Sequence, residues 1–376
     1  MSRNCFGRAW LLADLLKKQY RVEIVGPDFG KGIWGPLKNQ KSCRVTTVKG
    51  YRNGRFELKK MIAYIDGEVI YASKPLAASF GAGLLKKIIA KKKLVLDIDD
   101  NELGFGREFY DSLSILKKLN DFRLSVCNWR SYYHNLMLNR LTFLANDITV
   151  SGRTLQKQFG GSIITHVRDV KRLDPEKFDK KKLRRKYLSD MHPQSRVVGF
   201  IGTPRRHKGV NDLIDAVTVL RRENIILIIV GAGKDRYCND LRSKLNASGL
   251  IDTVLMLPEI PFESLPEIIA FLDIIVIPQR DTPEAIGQVP AKIFDAMAMA
   301  KPIVATKVAD IPYFLEGCAW LVDPKQPIQL AEKIKYICNH SGEARQMGLR
   351  ARKKCLENFS YPVARETLGC IFSKFL

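Results

Sequence analysis

The stretch IGQVPAKIFDAMAMAKPIVAT, Ile286 to Thr306, reads as a loop, a helix and a buried strand. Pro290 suits the first turn of a helix, where its missing N–H is not needed. Ile293, Phe294, Met297 and Ala300 then fall on one face at helical spacing. Lys301-Pro302 ends the helix, and Ile303 to Thr306 resumes as an apolar strand. Two charges are out of place in this pattern. Lys292 stands in the first turn, where the helix dipole repels a cation. Asp295 stands one turn deeper, in an apolar run. A phosphate at the helix mouth accounts for the lysine, and a ribose hydroxyl for the aspartate. Two solvated charges on a surface helix account for the segment equally well.

A second segment decides between these readings. RVVGFIGTPRRHKGVNDLIDAVTVL, Arg196 to Leu220, is strand, loop, helix. An apolar run from Val197 to Ile201 ends at Gly202. Arg205, Arg206, His207 and Lys208 follow, just before Gly209. Leu213, Ile214, Val217 and Leu220 then mark a helical face. Cations gathered before a helix oppose its dipole and each other. A bound dianion reverses the sign of that energy. The run lies where open α/β sheets bind ligands, after a strand and before a helix, so an anion site is favoured over a flexible basic turn.

These residues resemble the donor half of glycosyltransferase family 4, enzymes with the GT-B fold. FIGTPRRHKGVNDLIDA is similar to the family's strand–loop–helix, with Arg205 and Lys208 as its basic pair for the donor pyrophosphate. FLDIIVIPQR, Phe271 to Arg280, resembles the strand leading to the sugar-binding loop, and GQVPAKIFDAMAMAKPIVAT the signature helix. The match runs from about Arg196 to Val322. In the family that helix carries two glutamates with seven residues between them; here they fall on Gly287 and Asp295. The resemblance implies that Asp295 holds the ribose diol. It leaves Asp281, Glu284 or Gln288 to replace the first glutamate at the donor sugar. The implied donor-binding set is Gly202, Arg205, Lys208, Gly287, Gln288, Val289, Lys292 and Asp295. Catalytic roles fall on Arg205, Lys208 and Asp99, the last at a position where the family commonly holds a sugar-contacting histidine. The implied chemistry is retaining transfer from a nucleotide diphosphate sugar to a glycan or lipid-linked acceptor, with no metal and no cofactor.

The rest of the chain fits two domains. Its 376 residues suffice for two cores. Hydrophobic residues at 46% and charged residues at 27% mark it as globular rather than disordered. No apolar run approaches the roughly 20 residues of a membrane span. MSRNCFGRAW has no apolar core of a signal peptide. The eight cysteines form no C-x-x-C pair, so neither a zinc site nor a disulfide framework is indicated and a reducing, cytoplasmic setting is expected. The formal charge is +23, and about +14 of it falls in residues 1–170, spread through Lys38 to Lys60 and Lys86 to Lys93. No nucleic-acid motif accompanies it, and an anionic membrane surface is the better match. A peripheral position at the inner face of a membrane follows.

Alternating strands and helices in the first half argue for a second doubly wound sheet. Phe6 to Lys18 reads as a helix; RVEIVGP as a strand stopped by Gly26-Pro27; GEVIYASKP, KLVLDIDD, ITVSG and SIITHVRD as further strands. Asp97, Asp99 and Asp100 close KLVLDIDD at its C-terminal end. The acceptor half of GT-B enzymes opens on a strand, whereas this chain opens on the helix, so a strand between RVEIV and KLVLD is expected to be missing, leaving this half marginally stable. Residues 103–140 interleave Tyr110, Leu113, Leu116, Trp129, Tyr132 and Tyr133 with Arg107, Lys117 and Lys118, which suits a membrane interface, a protein partner or a helical excursion packed on the sheet. The expected domains are 1–172 completed by 356–376, and 173–355, with the active site in the cleft between the halves. Three rivals are a basic nucleic-acid-binding protein, an inactive homologue serving as a partner subunit, and a dehydrogenase suggested by IILIIV before Gly231-Ala-Gly233. The last has no third glycine, since Arg236 takes its place.

Overall fold

The computed structural model describes residues 5–30, 32–38, 43–52, 55–124, 131–188 and 194–375. They form two compact units. Unit 1 comprises 1–166, 286–289 and 362–376; unit 2 comprises 167–285 and 290–361. The chain thus changes unit at 166/167 and 361/362, where the sequence suggested 172/173 and 355/356. It also places the four residues 286–289 with unit 1.

Unit 1 opens on helix α1 (Cys5–Leu16) and strands β1 (Glu23–Asp28) and β2 (Arg44–Lys49), which pair in parallel. β1 runs through Gly26-Pro27 instead of stopping there. Proline lacks a ladder donor, but β1 has one strand partner, and an edge tolerates that loss. A short antiparallel pair follows, β3 (Tyr51–Arg52) and β4 (Arg55–Phe56). Helix α2 (Leu58–Ala63) leads into β5 (Val69–Ser73), and α3 (Ala82–Ala90) into β6 (Lys93–Ile98). Helices α4 (Glu102–Asp111), α5 (Ile115–Leu124) and α6 (Tyr132–Arg140) make an excursion before β7 (Asp147–Val150), α7 (Arg153–Phe159) and β8 (Ser162–Ile163). Within it Tyr110 stacks on Tyr132 with centroids 4.4 Å apart; Trp129 lies outside the described residues.

Strands β5-β6-β7-β8 form one parallel sheet. Its core is Ile70, Ala72, Phe80, Leu94, Leu96, Ile98, Val150 and Leu155. β6 is apolar on both faces at Leu94, Val95, Leu96 and Ile98 because it is paired on both edges, and Asp97 is the buried charge within it. The gap expected beside KLVLD is therefore not there. The edge strands of the two parallel sheets of unit 1 are β1 and β2 in one and β5 and β8 in the other, so β1 and KLVLD belong to different sheets.

Unit 2 is a parallel sheet of six strands: β9 (Arg196–Ile201), β10 (Ile225–Val230), β11 (Val254–Leu257), β12 (Ile274–Ile277), β13 (Ile303–Thr306) and β14 (Trp320–Val322). Their spatial order is β11-β10-β9-β12-β13-β14. Helices α8 (Lys180–Leu188), α9 (Val210–Val219), α10 (Arg236–Ala247), α11 (Leu265–Phe271), α12 (Lys292–Ala298), α13 (Ile311–Leu315), α14 (Pro327–Asn339) and α15 (Ser341–Asn358) accompany it. α16 (Tyr361–Phe372) returns the chain to unit 1. The strands read as continuous Val/Ile/Leu runs because both faces are covered, with Phe200, Leu213, Ile214, Val217, Leu227 and Ile229 in the core. The winding reverses between β9 and β12, and in open sheets the crevice at that switch point takes the ligand. Among the described residues, no helix is long and apolar enough to cross a membrane.

Candidate functional site

At the switch point of unit 2 the chain leaves β9 through Gly202 at φ +120°. It makes a short turn over Arg206–Lys208 and passes Gly209 at φ +64° into α9. Gly209 has no alternative, because a Cβ there would overlap the Pro278 carbonyl at the end of β12. The two loops are locked together. Arg280 N donates to His207 O at 2.8 Å, and the Arg280 guanidinium grips both oxygens of Asp212 at 2.8 and 2.5 Å.

Two lysines close on Gly202. Lys208 Nζ donates to Thr203 O at 3.0 Å. Lys292 Nζ sits 3.6 Å over the Phe200 ring. A Cβ on Gly202 would stand 3.7 Å from one ammonium and 4.0 Å from the other. Burial pushes the Lys292 pKa well below the usual lysine range, Lys208 adds to the depression, and Asp295 only partly opposes it. Like charges converging on a glycine leave space and field for an anion. His207 is lowered to about 4, first by burial and then by Lys208, against the pull of Glu284, so its imidazole is neutral near pH 7. Arg205 is exposed at the start of the turn, and its charge acts on His207 and Asp235. The sequence paired Arg205 with Lys208; the structure pairs Lys208 with Lys292.

Beside them a cavity of about 420 Å³ opens over the ends of β10 and β11, lined by Thr203, Gly231, Ala232, Gly233, Lys234 and Arg242, with Met256, Pro258 and Glu259. Its size suits a small ligand. Sequence reading treated Gly231-Ala-Gly233 only as a failed dinucleotide motif. Gly231 sits at φ +98°, where a Cβ would press on the Gly202 carbonyl. The glycines thus serve close approach of the β9 and β10 loops. Gln279 is 2% exposed and its amide nitrogen has no hydrogen-bond partner among the described residues. A buried orphan donor at a strand end marks a site awaiting an acceptor.

Asp295 is 4% exposed and both its oxygens accept from Arg168, through Nε and through Nη2, the latter at 3.0 Å. Arg168 also donates to Val167 O at 3.0 Å and Ala291 O at 2.9 Å. Burial alone would lower the Arg168 pKa; Asp295 outweighs it and the net shift is upward. Ribose binding by Asp295 must therefore share a carboxylate already committed to an arginine. Arg168 escaped the sequence reading because its partner lies 127 positions away.

Unit 1 holds the remaining sequence candidates. At the ends of β5 and β6, Lys74 adopts φ +73° and is 6% exposed. Its Nζ reaches Asp100 and Glu102 at 2.6 Å and Asp99 at 3.2 Å. A non-glycine residue in that backbone region stores strain, which concentrates at functional sites. Burial raises the Asp99 pKa to about 7, with Lys74 opposing and Asp100 and Asp97 assisting. Asp100 shifts the other way: burial works against it, but Lys74 prevails. Asp97 is structural, clasped by Arg8 at 3.0 and 2.8 Å and by the Thr149 hydroxyl at 2.8 Å. Arg8 is the polar break in the apolar face of α1, and it also donates to Thr165 O and Ile164 O. Gln288 Nε2 donates to Asp100 at 3.3 Å. Val289 is 3% exposed. Gly287, at φ +82°, has Leu155 where a side chain would go, so no glutamate fits there.

The comparisons with known proteins agree with this architecture. Residues 195–340 match the family model described as Glycosyl transferases group 1. The chain is similar to a D-inositol 3-phosphate glycosyltransferase of Corynebacterium jeikeium, 28% identical over 190 residues, covering 48% of this chain and 44% of that protein. It is also similar to the probable glycosyltransferase WbjE of Pseudomonas aeruginosa, 26% identical over 153 residues, 38% and 36% of the two chains. The matched region spans less than half the length of either relative. Among solved structures, Anabaena HepE in complex with UDP and glucose matches with TM-score 0.77 at 20% identity, covering 99% of this chain and 97% of that one. Sucrose-phosphate synthase from Thermosynechococcus elongatus matches with TM-score 0.72 at 16% identity, covering 98% and 92%. The fold is GT-B, two Rossmann-like α/β domains built on parallel sheets.

Proposed function

We propose that the protein is a glycosyltransferase that moves a sugar from a nucleotide diphosphate sugar, with UDP-sugars the first donors to test, to a glycan or lipid-linked acceptor. The observation that carries this reading is the convergence of Lys208 and Lys292 on Gly202 at the switch point of unit 2. Two ammonium groups this close repel each other, and a diphosphate between them reverses the sign of that energy. The departing diphosphate gains negative charge as the glycosidic bond breaks, and fixed cations stabilise that change. A bound anion would raise the Lys292 pKa back toward the usual lysine range. Arg205 stands at the entry, the adjacent cavity takes the base, and Asp295, shared with Arg168, is the candidate contact to the ribose. Asp99 in unit 1 is the candidate contact to the donor sugar's hydroxyls. Retention and independence of metal come from the resemblance to family 4; a cytoplasmic enzyme held at the inner face of a membrane is read from the cysteine usage and the basic excess of the chain.

UDP and UDP-glucose, the ligands seen with HepE, head the screen, with GDP and ADP counterparts and UMP as controls. A ligand at about 100 times its dissociation constant stabilises by roughly 2.7 kcal/mol and raises the melting temperature measurably. Diphosphates are expected to shift it and UMP to do so weakly. A screen in which no nucleoside diphosphate shifts the wild type, or in which Lys208→Ala/Lys292→Ala responds equally, refutes the donor site. The anomeric configuration of the first product, read by NMR, tests retention.

A further inference from the structure

Unit 1 carries an apolar surface that the donor reading leaves unused. The outward face of α3 presents Leu85, Ile88 and Ile89, the isoleucines each 72% exposed. Residues at these spacings share one helix face. The turn before β7 adds Phe143, also 72% exposed. Two lysines of α3 tie this face to its neighbours: Lys87 Nζ donates to Leu144 O at 2.7 Å, and Lys86 Nζ to Ile62 O at the end of α2 at 3.4 Å. Tyr64, 48% exposed, follows α2. Single exposed apolar residues are ordinary, but a connected group of this size calls for an occupant.

The charges around it say which. Lys86, Lys87, Lys91, Lys92 and Lys93 border the patch and outnumber the acidic residues near it, Asp66 and Glu68 before β5 and Asp147 at the start of β7, the last paired with Lys374. Protein interfaces are depleted in lysine, and a second copy would bring the same positive field against itself. Isoleucine and phenylalanine framed by flexible lysines is the pattern of an element lying in a lipid headgroup layer. The patch sits where β5, β6 and β7 begin, at the sheet edge opposite the Lys74–Asp99 cluster at the strand ends, so an occupant there leaves the candidate site open.

We propose that this patch is the membrane-contact surface of the protein: Leu85, Ile88, Ile89 and Phe143 enter the headgroup region of an anionic bilayer, and Lys86, Lys87 and Lys91–Lys93 pair with lipid phosphates and carboxylates. The inference deepens the reading of a membrane-associated transferase and rests on it.

The test is co-sedimentation of the full chain with vesicles of phosphatidylcholine, with and without about one-third phosphatidylserine. Wild type is expected on the anionic vesicles only, and less as salt rises. Lys91→Gln/Lys92→Gln/Lys93→Gln is expected to lower the partition coefficient roughly a hundredfold, since each surface lysine contributes about a fivefold factor. Ile88→Ser/Ile89→Ser/Phe143→Ser is expected to lower it by about tenfold or more. Both variants are expected to keep wild-type UDP affinity, and an unchanged circular dichroism spectrum and melting profile show that unit 1 still folds. Wild type bound to neither vesicle, or variants partitioning like wild type, overturns the proposal. So does a wild-type dimer that the serine variant converts to monomer without any vesicle binding. Wild type that binds UDP but no vesicles sinks the patch and spares the donor reading; vesicle binding without any nucleotide binding does the reverse.

Discussion

Arg168 and Asp295 join the segment entering unit 2 to the helix that carries Lys292, and the pair is almost wholly buried, at 9% and 4% exposure. Both carboxylate oxygens face the guanidinium, whose remaining donors go to Val167 O and Ala291 O. Asp295→Ala leaves a buried arginine with two carbonyls and no counter-charge. Breaking one side of a buried pair costs about 3–5 kcal/mol, a large part of the roughly 5–15 kcal/mol that holds a typical domain. Replacing both partners with apolar residues of similar size, Arg168→Met/Asp295→Leu, is expected to recover most of the loss, because it removes the desolvation penalty together with the attraction. Urea denaturation of the wild type, the two single variants and the double variant gives the coupling energy directly. A loss below about 1 kcal/mol for Asp295→Ala, or a double variant as unstable as the worse single, refutes the reasoning. The ribose role is tested on Asp295→Asn, with UDP against its 2′,3′-dideoxy analogue. A larger loss for UDP is expected if the carboxylate serves both arginine and ribose; equal losses leave it structural.

Lys292→Met is expected to stabilise the empty protein, because a lysine whose pKa is pushed down by burial costs free energy when charged, while UDP affinity falls by about 1.5–3 kcal/mol, roughly ten- to a hundredfold; calorimetric titration and a melt check both, and a destabilised variant with intact affinity counts against the site. Gly209→Ala places a side chain at φ +64° against the Pro278 carbonyl and is expected to cost about 1–3 kcal/mol and weaken UDP binding by moving Lys208; a neutral substitution means the loop does not hold that lysine. Asp99 has a folded pKa of about 7, above its usual 3.8, so its contribution to stability is full below the unfolded value and is lost as pH rises through about 7. Wild type is therefore expected to lose stability relative to Asp99→Asn between about pH 4 and 7, and parallel stability–pH curves contradict this.

The sequence by itself indicated an α/β chain of two halves and singled out the loops at the switch point of unit 2 as the candidate donor site. Apolar runs bounded by glycine or proline located β9, β10, β12 and β13, because strands buried on both faces leave a hydrophobic signature. Cations before a helix singled out Lys208 and Lys292, because they oppose the local dipole unless an anion joins them. What only the tertiary structure decided is which groups meet. Arg168 and Asp295 are 127 positions apart, and Arg8 and Asp97 are 89 apart. Local periodicity carries no information about such pairs, since each residue taken alone is an ordinary charge. The cavity beside Gly231 exists because loops from three strands end together, and Gly287 is barred from holding a glutamate by Leu155, far away in the chain. Strand order fixes those meetings. It is set by packing both faces of a parallel sheet, a property of the whole chain and of no segment within it.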